Sequence, residues 1–189
     1  MDPTQIVAAL QHRPFRAYDD LASRSPTRPP PTHGLYAWWQ KAGALPVIQG
    51  TSHPDDASLE LLYVGIAPRD ALSASNLRER LGNHHHAAIG SSTFRLDLAA
   101  FLWQVRGWRP GWTDRPKLLD DDLAALEDWQ RVHLQVQWVE VAEPWEVEAK
   151  VVHLMRPPLN RDHNQDHPAY RLVGAARESL RHAARQNPI

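Results

Sequence analysis

The chain has no cysteine, no long apolar run and only three lysines among its 21 basic residues. The absence of cysteine excludes disulfide bonds and thiolate metal sites, and it is typical of proteins from reducing compartments. No apolar run approaches the roughly 20 residues that a membrane-spanning helix needs, and residues 1–10 lack the basic start and long apolar stretch of a secretory signal. We therefore expect a cytoplasmic protein with no membrane partner.

The sequence also lacks an excess of charge of either sign. Its formal net charge is −1 at pH 7, which argues against a protein that coats nucleic acid through bulk positive charge. Binding of nucleic acid by a local basic patch is still compatible with this charge. Eighteen of the basic residues are arginine, and arginine makes bidentate contacts to phosphate. With 42% hydrophobic and 23% charged residues, the composition is that of a globular domain.

The length of 189 residues suggests one domain with extensions. Apolar spacing predicts a short helix over residues 3–12, and the proline-rich segment 25–31 then keeps the chain extended as a linker. We therefore predict an N-terminal helix and linker over residues 1–32, one folded domain over residues 33–165 and a helical extension over residues 166–189.

Hydrophobic periodicity predicts a mixed fold in which short strands lie between helices. Helices are expected from residue 76 onward and over 94–105, 119–132, 145–155 and 169–186. Strands are expected over 35–39, 61–66 and 134–138, the last with one face wetter than the other. These elements predict an α+β domain in which helices flank a small, largely antiparallel sheet of three strands, with an N-terminal arm and a C-terminal helix.

Four short segments, far apart in the chain, carry chemically active side chains. They are Gly34-Leu35-Tyr36, Tyr63-Val64-Gly65, residues 76–84 with Arg80 and His84, and residues 148–160 with Glu148 and Asn160. Together they supply two phenols, a guanidinium, an imidazole and a carboxylate. Such a set is able to hydrolyse a phosphodiester with one metal ion.

Helical geometry separates the two glutamates near the start of the helix predicted over residues 145–155. At about 100° per residue, Glu146 falls beside Lys150 on a solvated face, whereas Glu148 falls between Val152 and Met155 in an apolar arc. A carboxylate there is costly to desolvate unless a cation or hydrogen-bond donors meet it. Glu148 is therefore either a boundary residue whose carboxylate reaches water or a ligand for a cation.

The helix predicted from residue 76 places two polar residues on one side. Arg80 and His84 are one turn apart and face the same way, whereas Arg78 points elsewhere. Ser75 is the expected N-terminal cap of this helix. From helical position alone, Arg80 is a surface arginine that pairs or caps, and His84 is a packed core histidine.

Tyr36 and Tyr63 lie on predicted strands, in which side chains alternate between the two faces. Tyr36 is expected to share a face with Trp38, and Tyr63 with Leu61 and Gly65. Either tyrosine alone is typical of a packing residue with a wet hydroxyl. An unperturbed phenol with a pKa of about 10 is a poor base at neutral pH, so a catalytic phenol needs positive charge nearby.

The histidine-rich segments permit a different metal hypothesis. His84, His85 and His86 could be combined with His163 and His167 as a zinc site. Solvated histidines near a helix end are the alternative that we favour.

The order and spacing of the four segments resemble the GIY-YIG nuclease superfamily, whose two strand motifs correspond to residues 34–36 and 63–65. The family helix of the form Asn-Leu-x-x-Arg-Leu matches residues 76–81. The family also has a glutamate followed twelve positions later by the asparagine of Pro-x-x-Asn, as Glu148 and Asn160 are here. The resemblance covers roughly residues 33–165, and it is to small, free-standing members of the superfamily.

This resemblance implies a metal-dependent endonuclease that hydrolyses DNA phosphodiester bonds by direct attack of water, with Mg²⁺ or Mn²⁺ as the cofactor. It implies that Glu148 is the only protein ligand of the metal. It also implies that Arg80 binds the scissile phosphate and stabilises developing charge. Asn160 is expected to hold Glu148 or nearby backbone through hydrogen bonds.

Among the phenols, we expect Tyr63 to take the proton from the attacking water and Tyr36 to orient that water or the phosphate. Many members carry a lysine immediately after the Tyr-x-Gly motif, where this chain has Ile66. An isoleucine neither binds phosphate nor lowers the pKa of a phenol. His84, which matches a histidine of some restriction endonucleases in the superfamily, is then expected to supply the missing positive charge, unless activity is weak or lost.

Further nucleic-acid contacts are expected from the Gly/Pro-rich segment 106–112, where Trp108 and Trp112 could stack on bases and Arg109 could bind phosphate. Arg78 is another candidate. DNA is the expected partner, with RNA as an alternative, and the sequence leaves the oligomeric state open. Two rivals to a nuclease also stay open: a nucleic-acid-binding module that keeps the fold but has lost hydrolysis, and a protein-interaction domain.

Overall fold

The computed structural model describes residues 1–22, 24–45 and 47–189. Across these ranges the chain forms six α-helices and seven β-strands. The helices are α1 (Pro3–His12), α2 (Leu77–His86), α3 (Thr93–Arg106), α4 (Asp120–His133), α5 (Glu148–Met155) and α6 (Tyr170–Arg185). The strands are β1 (Arg16–Ala17), β2 (Gly34–Lys41), β3 (Ser52–His53), β4 (Asp56–Ala67), β5 (Pro110–Trp112), β6 (Pro116–Leu118) and β7 (Leu134–Glu140).

Five of these strands form one sheet in the order β1-β7-β2-β4-β3, and every neighbouring pair is antiparallel. This confirms the α+β class, but the prediction of three strands is wrong. The three predicted strands are the central ones, and the two others lie at the edges with two residues each. Strands so short have no alternating pattern for a sequence to display. A separate hairpin, β5–β6, begins at the end of the segment that the sequence predicts to be a loop.

A bulge in β4 sets which side chains share a face with Tyr63. Trp38 of β2 pairs with Tyr63, but the next residue, Trp39, pairs with Leu61. Leu62 is therefore an extra residue in β4, and its insertion reverses the alternation of side chains beyond it. Tyr63 lies on the face of Trp38, while Leu61 packs on the opposite face with Trp39. The prediction that Leu61 shares the face of Tyr63 is wrong for this reason.

Helices cover both faces of the sheet, which gives three layers. On one face, Tyr36 and Trp38 pack in a core with residues of α2, α3, α4 and α6. On the other face, Trp39 packs with residues of α1 and α5. Gln137 of β7 is consequently only 1% exposed, and its amide donates a hydrogen bond to the carbonyl oxygen of Arg13. The expected wetter face of this strand is thus covered by the chain itself.

The last helix packs along α3 and belongs to the same core. Val173 and Leu180 of α6 are fully buried, and Arg177 forms an ion pair with the buried carboxylate of Asp97 in α3. The boundary at residue 166 between domain and extension stays a prediction. Within the described ranges, no helix has both the length and the apolar character that crossing a membrane demands.

Candidate active site

Tyr36 lies at the centre of the candidate site because the sheet leaves room for its ring. It pairs across the sheet with Gly65, and a Cβ atom at position 65 would lie 2.3 Å from the phenolic oxygen of Tyr36. Glycine is therefore what allows the phenol to cross β4. Tyr36 is fully buried, and burial raises its pKa, while the charge of Arg80 acts in the opposite direction.

The local sequence fixes the position of α2 against the sheet. Asn76, rather than Ser75, is its N-terminal cap, and the Asn76 side chain accepts a hydrogen bond from the backbone N–H of Glu79. The cap ends the preceding loop and starts the helix one residue later than predicted. Leu77 and Leu81 are fully buried and anchor one side of the helix in the core.

This anchoring brings Arg80 and His84 to the phenol of Tyr36. The two residues are one turn apart on the same side of α2. Arg80 Nε donates to Tyr36 Oη at 3.3 Å, and His84 Nε2 lies 2.7 Å from the same oxygen. The pKa of Arg80 is raised, first by the neighbouring Tyr36 and against the effect of burial, so the guanidinium stays charged.

His84 is fully buried, and its surroundings favour the neutral imidazole. Its Nδ1 atom lies 2.7 Å from Ser92 Oγ, so the ring bridges the hydroxyls of Ser92 and Tyr36. Burial, together with the charges of Arg80 and Arg95, holds its pKa well below 6.5. A neutral imidazole carries one N–H, so it donates to one of the hydroxyls and accepts from the other. This lowered pKa argues against the expectation that His84 supplies the missing positive charge.

Two residues that sequence reasoning does not single out hold His84 in place. Ser92 caps α3 by accepting a hydrogen bond from the N–H of Arg95 at 3.2 Å. Arg95 is fully buried and donates to the carbonyl oxygen of His84 at 3.3 Å and to Gln130 Oε1 at 3.0 Å. The serine before an apolar helix is a capping signal that the sequence does display, whereas an arginine within that helix carries no such signal.

Tyr63 is the phenol that faces the open part of the site. It is half-buried, and its ring centroid lies 6.3 Å from that of Tyr36 and 6.2 Å from that of His84. Its hydroxyl also interacts with the Arg80 side chain through a hydrogen bond. Burial first, and Tyr36 next, raise its pKa, and Arg80 acts against them.

Glu148 is the first residue of α5, just after the 3₁₀ turn Pro144–Glu146. Its side chain is 24% exposed and lines the same cavity as Tyr63 and Arg80. Glu146 is exposed, so the two glutamates differ in the way that helical position predicts, although α5 starts three residues later than expected. Burial raises the pKa of Glu148, and the nearby charge of His163 opposes this shift.

The surroundings of Glu148 suit a divalent cation. Its carboxylate accepts no hydrogen bond from the described residues, and His163 Nε2, at 4.0 Å from Oε2, is too distant for one. A cation would offset the cost of burying this carboxylate. In the described ranges, no three or more His, Asp or Glu residues are placed to hold a metal together. An ion at Glu148 would thus complete its coordination with water and substrate oxygens, as Mg²⁺ commonly does.

Asn160 fixes the backbone of β4 beside Tyr63. Its Nδ2 atom donates to the carbonyl oxygen of Val64 at 2.7 Å, and its Oδ1 atom accepts from the N–H of Val64 at 2.9 Å. The N–H of Leu159 also donates to the carbonyl oxygen of the bulge residue Leu62 at 3.1 Å. Asn160 is expected to hydrogen-bond either Glu148 or nearby backbone, and its side-chain contacts are to the backbone of Val64.

These elements surround one cavity of about 870 Å³, a size typical of ligand sites. Four of the expected site residues line it: Tyr63, Arg80, Glu148 and Asn160. Tyr36 and His84 join this group through the hydrogen bonds at the Tyr36 hydroxyl. Residues from β2, β4, α2, α5 and the segment after α5 thus meet at one place.

The residues expected at a wider nucleic-acid surface do not line this cavity. Trp108 is 7% exposed and packs in the main core, so it presents no face for stacking on a base, which corrects that prediction. Trp112 is half-buried. Arg109 pairs with Asp122, and Arg78 donates from Nε to a backbone carbonyl of the proline-rich segment at 3.0 Å. Contacts from Arg78, Arg109 and Trp112 to nucleic acid stay predictions.

A family model described as the GIY-YIG catalytic domain matches residues 34–181. The matched range contains both strand motifs, α2, Glu148 and Asn160, and it continues into α6. No curated protein and no solved structure matches the chain.

Proposed function

Since this chain belongs to the GIY-YIG catalytic-domain family, we propose that it is a metal-dependent endonuclease that hydrolyses DNA phosphodiester bonds by direct attack of water. One observation carries the proposal. The Tyr36 hydroxyl receives Arg80 and His84 at 3.3 and 2.7 Å, and Tyr63 and Glu148 line the cavity beside them. This collection provides an anion-binding charge, phenols and a cation-binding carboxylate at one place.

Arg80 is proposed to bind the scissile phosphate. Its guanidinium lines the cavity, and it uses Nε to hold Tyr36. A guanidinium with its remaining N–H groups directed at a phosphate binds it through charge-assisted hydrogen bonds. Such donors also stabilise the negative charge that grows on the phosphate oxygens in the transition state.

Tyr63 is proposed to accept the proton of the attacking water, and Tyr36 to orient that water or the phosphate. Tyr63 lines the cavity, whereas the Tyr36 hydroxyl is already engaged by Arg80 and His84. As the water oxygen bonds to phosphorus, its proton passes to the ionised phenol of Tyr63. The bond from phosphorus to the leaving oxygen breaks, and that oxygen takes a proton from solvent.

Tyr63 needs positive charge to act in this way, because burial raises its pKa. Arg80 favours the ionised phenol, and a cation held by Glu148 would add to that effect. When bound, Mg²⁺ or Mn²⁺ supplies charge neutralisation on the phosphate and stabilises the leaving oxygen. Glu148 is the residue that would hold it.

The test is nicking of plasmid and branched DNA with Mg²⁺ or Mn²⁺, and with EDTA as a blank. Glu148→Gln should abolish metal-stimulated nicking. Glu146→Gln is the matched control, because that carboxylate is exposed two positions away, and it should cut at the wild-type rate. Equal nicking by the two variants would contradict the assignment of Glu148.

A nucleic-acid-binding module without hydrolysis is the second candidate function. It is favoured by Ile66, which lines the cavity but is only 6% exposed and apolar, and by the lowered pKa of His84. The positive charges beside Tyr63 are then those of Arg80 and Arg177. Binding to duplex, branched or RNA substrates with no metal-stimulated cutting of any of them would favour this alternative.

A further inference from the structure

The proposed reaction leaves three arginines of the cavity wall without a role, and one of them, Arg69, is an exposed residue that pairs with Asp70. Arg161, in the segment after α5, and Arg177 of α6 both line the cavity. Each is held by a contact that involves no ligand. The guanidinium of Arg161 lies 4.5 Å from the ring centroid of Tyr170, and Arg177 makes a bidentate ion pair with Asp97, with Nη2 at 2.8 Å from Oδ2.

Both guanidinium groups retain unused hydrogen-bond donors. Arg177 uses Nε and Nη2 for Asp97, and its Nη1 atom donates to none of the described residues. Arg161 donates to none of them either, and its Nε atom is buried without a partner. The Nε atom of Arg161 is closed off from the cavity, so the donors open to a ligand are the Nη groups of the two arginines. An anion with several oxygens would accept hydrogen bonds from these groups, because guanidinium binds phosphate in a bidentate manner.

The cavity wall carries more arginines than carboxylates, although Arg177 is paired with Asp97 and Arg69 with Asp70 behind it. Its lining includes four arginines and two carboxylates, namely Arg69, Arg80, Arg161, Arg177, Glu148 and Asp162. Arg80 is committed to Tyr36 and to the proposed scissile phosphate, and Glu148 to the cation. Asp162 forms no ion pair with the described residues, and Asp97 is the carboxylate that pairs with Arg177. What the wall formed by Arg161 and Arg177 offers an anion is therefore its set of unused guanidinium N–H groups.

We propose that Arg161 and Arg177 form a second phosphate subsite, which takes a phosphate next to the scissile one on the same strand. The inference rests on the proposed function, and it defines the substrate class more closely. The cavity takes a polynucleotide strand with consecutive phosphates rather than an isolated phosphodiester. Helix α6 is then part of the substrate-binding surface as well as of the core.

Arg177 should be able to bind a phosphate even though it is paired with Asp97. The pair fixes the guanidinium in one orientation, so little rotamer freedom is lost when a phosphate binds. Stacking on Tyr170 does the same for Arg161. Two preoriented guanidinium groups bind an anion more strongly than two flexible ones.

The experiment is DNA binding in EDTA, which requires no cleavage. A short labelled DNA duplex is titrated with wild type, Arg161→Gln and the control Arg171→Gln, with fluorescence anisotropy as the readout. Arg171 is an exposed residue of α6 that does not line the cavity, so the control removes the same charge from the same region. We expect Arg161→Gln to weaken binding about tenfold, the loss of one hydrogen bond to a charged group. Arg171→Gln should change it less than about twofold, as expected for a lone exposed charge.

A second variant addresses Arg177 without leaving Asp97 unpaired in the core. The double variant Asp97→Asn/Arg177→Gln should weaken binding as Arg161→Gln does, with folding checked by thermal melting. Hydrolysis of bis(4-nitrophenyl) phosphate, which has a single phosphate, should be unchanged by the control Arg171→Gln and should fall by much less than tenfold with Arg161→Gln. A loss on this small substrate as large as the loss of DNA binding would place Arg161 at the scissile phosphate and overturn the second subsite.

The outcomes for the two proposals are separate. Equal binding by Arg161→Gln and Arg171→Gln, or no DNA binding by wild type at low salt, would overturn the subsite. Selective weakening by Arg161→Gln supports it whether or not the protein cuts DNA. If wild type shows that weakening yet cleaves nothing with Mg²⁺ or Mn²⁺, the nuclease proposal fails and the subsite stands.

Discussion

The ring of Tyr36 crosses the backbone of Gly65 so closely that a Cβ atom there would lie 2.3 Å from the phenolic oxygen and 2.4 Å from Cζ. The two residues face each other across the central strand pair of the sheet. The phenol has little freedom to move aside, because its oxygen is held by Arg80 and His84. Gly65 of the second strand motif thus leaves the space that the ring of Tyr36, from the first motif, occupies.

Gly65→Ala should therefore displace Tyr36 and disconnect it from His84. We expect a loss of about 1–3 kcal/mol in the free energy of unfolding, the usual cost of overpacking a core, and a large loss of cleavage. Urea denaturation and nicking assays measure the two effects. The control is Gly82→Ala in α2, where the nearest atom to a new Cβ is 3.9 Å away. That substitution should gain roughly 0.5–1 kcal/mol of stability. A Gly65→Ala protein with wild-type activity would contradict the claim that the position of Tyr36 requires a glycine at residue 65.

Asn160→Asp tests whether the side-chain amide holds β4 in place. The amide both donates to and accepts from Val64, whereas an ionised carboxylate only accepts. The buried carbonyl of Val64 then loses its donor, which should cost about 1–3 kcal/mol in unfolding free energy. Cleavage should fall with it, because Tyr63 is the adjacent residue. Asn83→Asp, on the exposed side of α2, should leave both quantities unchanged. Similar behaviour of the two variants would argue against a bracing role for Asn160.

His84 should make the stability of the fold depend on pH. Its pKa in the folded protein is well below the value of 6.5 that applies to the unfolded chain. Below pH 6.5 the unfolded chain binds a proton at this position that the folded protein does not. The contribution of His84 to the free energy of unfolding is thus fully present above pH 6.5. It is lost as the pH falls below that value, at about 1.4 kcal/mol per pH unit.

The measurement compares wild type with His84→Gln in urea denaturation at several pH values between neutral and mildly acidic. The unfolding free energy of the variant should fall less steeply as the medium is acidified. Parallel profiles for the two proteins would show that His84 gains a proton in the folded state as readily as in the unfolded one, against the account of its burial.

The placement of Glu148 could be predicted from local sequence, whereas the register of β4 could not. Helical spacing distinguishes Glu148 from Glu146, because it depends only on residues a few positions apart. The bulge at Leu62 depends on how β4 pairs with another strand. No pattern within residues 61–66 displays it, so the alternation rule assigned Leu61 to the wrong face.

The electrostatic state of the site also depends on residues that sequence reasoning had no means to place. The lowered pKa of His84 is due to its burial and to the charges of Arg80 and Arg95, the latter on a different helix. Similarly, Trp108 is buried by tertiary packing although it follows a glycine in a segment rich in turn residues. Local composition indicates a loop, and only the fold decides which of its side chains point inward.

The most direct test of one shared site is a double-mutant cycle on single-turnover DNA cleavage with Mn²⁺. Glu148→Gln and Tyr63→Phe should each reduce the rate by about a hundredfold or more. Since the two groups are proposed to act in one step, the double variant should be no more than about threefold slower than the slower single variant. The claim that Tyr63 and Glu148 belong to one catalytic centre would be contradicted by either of two results. One is a double variant whose rate is reduced by the product of the two single reductions, and the other is a wild-type rate in either single variant.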